Sequence, residues 1–311
     1  MPAALNPEPY IHALQTCYPD LAIQSYAAIN DGWDSFVLEV NSNRIFRFPR
    51  RYDVEQGLLT EIAVLPWLTV ALPLPIPSFD IICQPQGEDQ PYTFVGYAKI
   101  PGEPLPTDLD LKVKERVAQQ LAAFLTALHS FPVEPKDNIG VATIGQMPHI
   151  NIPILNLWQH YATFYQMVVR GRVLQLGLLT PTEQAQVERM WDRFLTGLQQ
   201  QPPAVALCHN DLVREHILYD PVRREVTGVI DWGDMAVGDP ALDFAGLLAF
   251  NTSLCARVIA DYETADANLW SQARFYRDII PFHEIEYGAF MEDEGRCESG
   301  LAALRQVLSG R

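Results

Sequence analysis

The sequence predicts an α+β protein of two lobes: a small β-rich N-terminal lobe and a larger, mainly helical C-terminal lobe. Three observations carry this. Residues 20–48 and 92–100 hold β-branched and aromatic runs broken by Asn, Asp, Gly and Pro. From residue 109 onward, apolar side chains return at helical spacing. Between residues 207 and 248 two short apolar runs, each beside an aspartate, interrupt the helical part.

In chain order, Ile23 to Ile29, Phe36 to Val40 and Ile45 to Phe48 read as strands. Asp31-Gly32-Trp33-Asp34-Ser35 and Asn41-Ser42-Asn43 separate them. Val54, Leu58, Ile62 and Leu65 share one face of a helix from about Asp53 to Leu65. Pro73, Pro75 and Pro77 then force an extended connection, and Tyr92 to Ile100 is a further strand closed by Pro101-Gly102. A βββαββ-like lobe follows, 1–102, with 103–311 as the second lobe. There, Leu109 to Ser130 carries an apolar stripe; Asn156 to Leu174 and Thr182 to Gln200 are further helices, the latter with Thr182 as cap. His216 to Tyr219 and Val226 to Ile230 form a hairpin around Asp220-Pro221-Val222-Arg223-Arg224, and helices resume at Ala241.

The 311 residues are 48% hydrophobic and 19% charged, ordinary globular material with enough chain for two lobes around a cleft. A net charge of −16 argues against a nucleic-acid or anionic-membrane partner. From Asp231 onward, 14 acidic residues face 6 basic ones, so the C-terminal part is the most acidic. Cys17, Cys83, Cys208, Cys255 and Cys297 are scattered, which suggests no zinc site and no disulfide framework, and a reducing cytoplasm. MPAALNPEPY lacks the basic and apolar regions of a secretory signal, and no apolar run is long enough to span a membrane.

The chemistry concentrates in two motifs. Asp211 lies in His209-Asn210-Asp211 ahead of one strand of the hairpin, and Asp231 ends the other. The hairpin brings both carboxylates out on one side of a small sheet, where a divalent metal and a phosphate chain fit between them. A lone H-x-D means little. The pair, its spacing and the following Gly238-Asp239-Pro240 mean much more.

His209-Asn210-Asp211 with His216, followed by Ile230-Asp231-Trp232-Gly233-Asp234, resembles the aminoglycoside and macrolide phosphotransferases, which share the protein-kinase-like fold. The resemblance is nearest to the aminoglycoside 2''-phosphotransferases. It runs from Phe46-Arg47-Phe48-Pro49 to about Gly300. It implies that Asp211 accepts the substrate hydroxyl's proton, that Asp231 binds Mg2+, and that His209 braces the loop. His216 stands where protein kinases place an Asn metal ligand; both ligation and a structural role remain open, because Mg2+ prefers oxygen. Asp234 reaches a metal-bound water or caps its turn.

Arg47 occupies the third-strand place usually held by Lys, with Glu61 as its partner. Arg is a planar fork rather than a point charge, so the exchange matters. Arg50 or Arg51 takes that place if the register shifts, and is otherwise solvated. The loop from Asp31 to Ser35 would cover the phosphates through backbone amides and Ser35. The base would lie against Phe94 to Gly102, with Tyr97 at the back and backbone groups of Ala98 and Ile100 as its contacts. A bulky Tyr97 narrows the adenine pocket and favours GTP over ATP as donor.

Arg274 to Phe290 looks like the segment that walls the acceptor site, with Glu284 and Tyr287 one turn apart facing a cationic, hydroxyl-bearing acceptor; an amphipathic helix covering the lobe fits it equally. An aminoglycoside 2''-hydroxyl is the first expectation. A macrolide kinase, a sugar or amino-alcohol kinase, and a nucleotide-binding regulator without turnover are the alternatives.

Overall fold

The computed structural model describes residues 6–29, 34–88, 90–136, 141–144 and 147–310. The N-terminal part opens with α1 (Glu8–Cys17), then β1 (Tyr26–Ile29), β2 (Ser35–Val40), β3 (Arg44–Pro49), α2 (Tyr52–Ala71), β4 (Phe79–Cys83) and β5 (Phe94–Ala98). The five strands form one antiparallel sheet in the order β1-β2-β3-β5-β4. Period-two alternation sorts β3: Phe46 and Phe48 enter a core with Phe36, Leu38 and Phe94, while Arg47 points to the opposite face. Phe46 lies across Gly96 on β5, where even a Cβ would approach its ring to 2.4 Å. α1 caps the core with Ile11 and Leu14, and Tyr10 stacks on Phe36 at 3.9 Å.

The predicted strands and helix are present with shifted ends. β1 is shorter than expected and exposed along its length, as an edge strand. α2 runs six residues past Leu65, through Pro66, because Leu68 beyond it is fully buried. α1 was not expected, and the βββαββ-like order called for a strand in the place of β4 without assigning residues to it. Cys17 at the end of α1 and Cys83 at the end of β4 form a disulfide, Cα to Cα 6.1 Å. This corrects the expectation of no disulfide: residues 66 apart in sequence meet only because α1 folds onto the sheet.

The chain crosses at Lys99 to Gly102 into β6 (Glu103–Pro104) and α3 (Leu111–His129). A three-stranded sheet, β7 (Val133–Lys136), β8 (Val141–Ile144) and β9 (Met147–Pro153), was not foreseen. α4 (Leu157–Phe164) continues as a π-helical turn over Tyr165–Arg170, then breaks at Gly171 instead of running on to Leu174. α5 (Pro181–Gln200) is capped by Thr180 rather than Thr182, through a reciprocal box with Glu183.

Then come β10 (Ala206–Cys208), β11 (Ile217–Asp220), β12 (Glu225–Val229), β13 (Ala236–Gly238), α6 (Ala241–Phe250), α7 (Thr252–Asp261), α8 (Leu269–Phe290) and α9 (Glu294–Leu308). β11 and β12 form the expected hairpin, with β6 on the outer side of β11, and β10 pairs with β13. His216 lies in a 3-10 turn before β11 rather than in the strand. The large core gathers Trp191, Trp232, Phe124, Phe244 and Phe282, and Val64, Leu65 and Leu68 of α2 join it. α2 therefore spans both halves of the molecule. Among the described residues no helix is long and apolar enough to cross a membrane.

Candidate active site

β3, α2 and the two loops around the β11–β12 hairpin converge on a cavity of about 300 Å³. Arg47 and Glu61 line its upper wall, and Asp211, Asp231 and Asp234 its floor. Arg47 makes a two-point pair with Glu61, Nη1 to Oε2 2.7 Å and Nη2 to Oε1 3.1 Å. Its Nη2 is also 3.7 Å from Asp231 Oδ1. Burial opposes both charges. It pushes the Glu61 carboxyl up against the pull of Arg47, whereas the Glu61 and Asp231 carboxylates outweigh burial and hold Arg47 firmly protonated.

α2 reaches the Asp231–Asp234 loop through glycine. A Cβ on Gly57 would lie 3.0 Å from the Gly233 carbonyl oxygen, so helix and loop backbones touch there. Asp231 and Asn210 both have left-handed backbones, φ +66° and +68°. Non-glycine residues adopt that region at a cost, and here both hold chain reversals at the site.

His216 joins the two aspartates. Its Nδ1 is 2.8 Å from the Asp211 carbonyl oxygen, and its Nε2 is 3.4 Å from Asp231 Oδ2. A carbonyl only accepts, so Nδ1 carries the proton and, in the neutral ring, Nε2 turns its lone pair toward a carboxylate. Two electron-pair donors facing each other at that distance suit a cation bound between them. The donor set therefore fits a divalent metal, with the imidazole as its less usual member.

Burial pushes Asp211 above the ordinary carboxylate range, against the opposing pull of His216 and His209. Burial, then Asp211 and Asp231, raise Asp234 to about 6. His209 is wholly buried: its Nε2 donates to the Ile230 carbonyl at 3.0 Å, and its Nδ1 accepts from the Asp211 backbone N–H at 3.3 Å. Burial depresses its pKa, so the ring is neutral and braces the loop as expected.

One residue behind the site escaped the sequence reading. Asp243 of α6, fully buried, accepts the backbone N–H groups of His209 (2.9 Å) and Asn210 (2.6 Å) and pairs with His129 Nε2 (3.0 Å). The signal was one acid in the otherwise apolar Ala241–Phe250, a charge too costly to bury without partners. Arg51 is not simply solvated: it lines the cavity and bonds Asp34 and Asp53. Two of the three guanidinium nitrogens of Arg50, Nε and Nη2, are buried, without a hydrogen-bond partner among the described residues.

The other expected residues fall in different places. Ser35 lines the cavity, whereas Asp31, Gly32 and Trp33 lie outside the described residues. Tyr97 is buried on the Arg47 face of the sheet, and burial raises its hydroxyl to about 12. Ala98 ends β5, and Ile100 packs over Gly228 of β12. Glu284 and Tyr287 do not line the cavity. Glu284 takes a two-point pair from Arg296 (2.6 and 3.0 Å), whose guanidinium sits 4.3 Å over the Tyr287 ring. Glu286 pairs with Arg172.

The profile of the phosphotransferase enzyme family, APH, matches residues 25–276. Viomycin phosphotransferase of Streptomyces vinaceus is 30% identical over 226 residues, 71% of this chain and 72% of its own length. The GDP and kanamycin complex of an APH(2'') enzyme superposes with a TM-score of 0.84 at 25% identity, covering 97% of this chain and 99% of that one. The macrolide 2'-phosphotransferase MphH of Brachybacterium faecium shares the fold, with a TM-score of 0.66, 18% identity, and 95% and 97% covered. With its paired aspartates and Arg–Glu couple facing one cavity, the chain belongs to the APH phosphotransferase enzyme family and is a phosphotransferase acting on an alcohol group.

Proposed function

We propose that this enzyme transfers the γ-phosphoryl group of a nucleoside triphosphate to a hydroxyl of a small cationic antibiotic, an aminoglycoside 2''-hydroxyl being the first acceptor to test. The carrying observation is that Asp211 and Asp231 share one cavity with the Arg47–Glu61 pair, with His216 within 3.4 Å of both aspartates. The acceptor oxygen attacks the γ-phosphorus as the bond to the β–γ bridging oxygen breaks. Asp211 takes the hydroxyl proton, and the nucleoside diphosphate leaves. Asp231 and His216 would hold Mg2+, which supplies neutralisation of the phosphate charge when bound. Arg47, oriented by Glu61, adds fixed positive charge on the other wall.

The base would rest against Tyr97 and the backbone of Ala98 and Ile100. The buried Tyr97 ring supports GTP as the preferred donor, which the ratio of kcat/KM for GTP and ATP tests; a clear ATP preference removes this part of the reading. An acceptor reaching Glu284 and Tyr287 would replace Arg296 with one of its own ammonium groups. We place the reaction in the cytoplasm, where nucleoside triphosphates are supplied.

The viomycin phosphotransferase relative favours a second acceptor, a hydroxyl of viomycin. A coupled phosphotransfer assay with Mg2+ across aminoglycosides, viomycin and macrolides separates these readings, with Asp211→Asn as control. Phosphorylation of an aminoglycoside at the 2''-position, lost in the control, supports the first. Turnover of viomycin alone transfers the assignment to the second, and turnover of neither removes both.

A further inference from the structure

Among the described residues, Arg47 and Arg51 are the cationic ones lining the cavity, against six carboxylates: Asp34, Asp53, Glu61, Asp211, Asp231 and Asp234. Such a site repels a triphosphate unless cations meet it from more than one side. Arg47 is largely committed, since Glu61 takes both its Nη atoms and Asp231 lies 3.7 Å away. Arg51 is held differently. It is the N-cap residue of α2, and its side chain is 41% exposed at the cavity edge. Its Nη2 donates to Asp34 Oδ1 at 2.7 Å, and its Nε is 3.2 Å from Asp53 Oδ1. Asp34 and Asp53 are themselves 56% and 70% exposed, so water can solvate either one when Arg51 lets go.

We infer that Arg51 is a second phosphate-binding residue, held in waiting by Asp34 and exchanging that carboxylate for an oxygen of the donor's phosphate chain. The inference rests on the phosphotransfer reading and names a specificity residue for it. Asp53, on the same turn of chain, takes both Nε and Nη2, each at 3.2 Å, and keeps the guanidinium aimed while the side that Asp34 gives up meets the phosphate. A guanidinium suits this exchange because its fork binds carboxylate and phosphate oxygens with one geometry. Asp34 is then a competitor for the phosphate's partner, not a support for the nucleotide.

That assignment has a signature which a simple structural latch lacks. Binding of a non-hydrolysable GTP or ATP analogue with Mg2+ is measured by calorimetry on the full chain, wild type and variants. Arg51→Ala should weaken analogue binding about 10- to 100-fold, the range of a hydrogen bond to a charged group, with Arg51→Lys in between and the KM of the phosphate acceptor unchanged. Asp34→Asn should tighten analogue binding several-fold, because Arg51 no longer has to leave a carboxylate. Most of that gain should vanish in the Arg51→Ala background, which the loss of one repelling charge alone would not predict.

If Arg51 only latches the chain ahead of β2 to α2, Asp34→Asn weakens binding in the same direction as Arg51→Ala, and the inference is overturned. It also fails if Arg51→Ala binds the analogue as tightly as wild type. Wild-type protein that binds neither analogue overturns the phosphotransfer reading itself. Melting curves of each variant, expected within a degree or two of wild type for these exposed side chains, keep loss of fold separate from loss of binding.

Discussion

At the scale of single residues, Asp211 and Glu61 answer different questions. On the proposed reading, Asp211 acts on the acceptor hydroxyl, while the donor is bound mainly by other groups of the cavity. Asp211→Asn should therefore lower kcat about 10²- to 10⁴-fold with nucleotide affinity kept, as single-turnover kinetics and calorimetry will show. Equal loss of both would make Asp211 a binding residue. Glu61 is buried against Arg47, with side-chain exposures of 1% and 11%. Glu61→Ala strands a buried guanidinium and should cost about 3–5 kcal/mol in urea unfolding. Arg47→Met with Glu61→Leu removes both charges. It should recover most of that stability and none of the activity. A double variant as unstable as Glu61→Ala would mean that packing, not charge, sets the penalty.

At the scale of elements, α2 and α6 hold the site from two sides. A Cβ at Gly57 meets the Gly233 backbone at 3.0 Å, so the larger side chain of Gly57→Val should push α2 off the Asp231–Asp234 loop. Displacement by about 1 Å costs on the order of 10²-fold in rate, and kcat should fall by that much while the circular dichroism spectrum stays native. An unchanged kcat would show that the loop follows the helix. From α6, Asp243 ties down the backbone of the catalytic loop. Burial raises its pKa, but the bonds from His129 and the loop outweigh burial and leave it below its ordinary 3.8.

A depressed folded pKa stabilises above the unfolded value, and the stabilisation is lost as pH falls through the folded one. Asp243→Asn should accordingly be less stable than wild type at pH 7 by about 2–4 kcal/mol, with the gap narrowing below about pH 4. A gap that stays constant down to pH 3 would assign the anchoring to a neutral Asp243. Element identity was largely legible, since β2, β3, α2, α3 and the β11–β12 hairpin have periodic patterns. α1, the residues of β4 and the β7–β9 sheet were not. β4 is short and follows three prolines, and α1 is amphipathic only with respect to a sheet that local pattern does not reveal.

At the scale of the whole molecule, the Cys17–Cys83 disulfide closes 66 residues of the N-terminal part into a loop. Cross-links of that span contribute roughly 2–4 kcal/mol by restricting the unfolded chain. Dithiothreitol should lower the melting temperature by several degrees, and Cys17→Ser should remove that sensitivity. Equal melting with and without reductant would mean that the two thiols are not joined in solution. The expected acidic acceptor wall also changes at this scale. Arg296 and Arg172, distant in sequence from the acids they neutralise, take up Glu284 and Glu286.

By itself, the sequence determined the α+β plan of a β-rich part followed by a mainly helical one, and the hairpin that returns Asp211 and Asp231 to one end. These follow from short-range spacing, alternation along a strand and turns of a helix, whereas His216 and the Arg47–Glu61 couple were carried by the family resemblance. Only the tertiary structure decided which charges are spent and which are free. It paired Arg51 with Asp34, Glu284 with Arg296, Asp243 with His129, and Cys17 with Cys83. These partners lie 12 to 114 residues apart. An ion pair, a buried hydrogen bond or a disulfide is set by distance in space, and no local pattern of side chains encodes it.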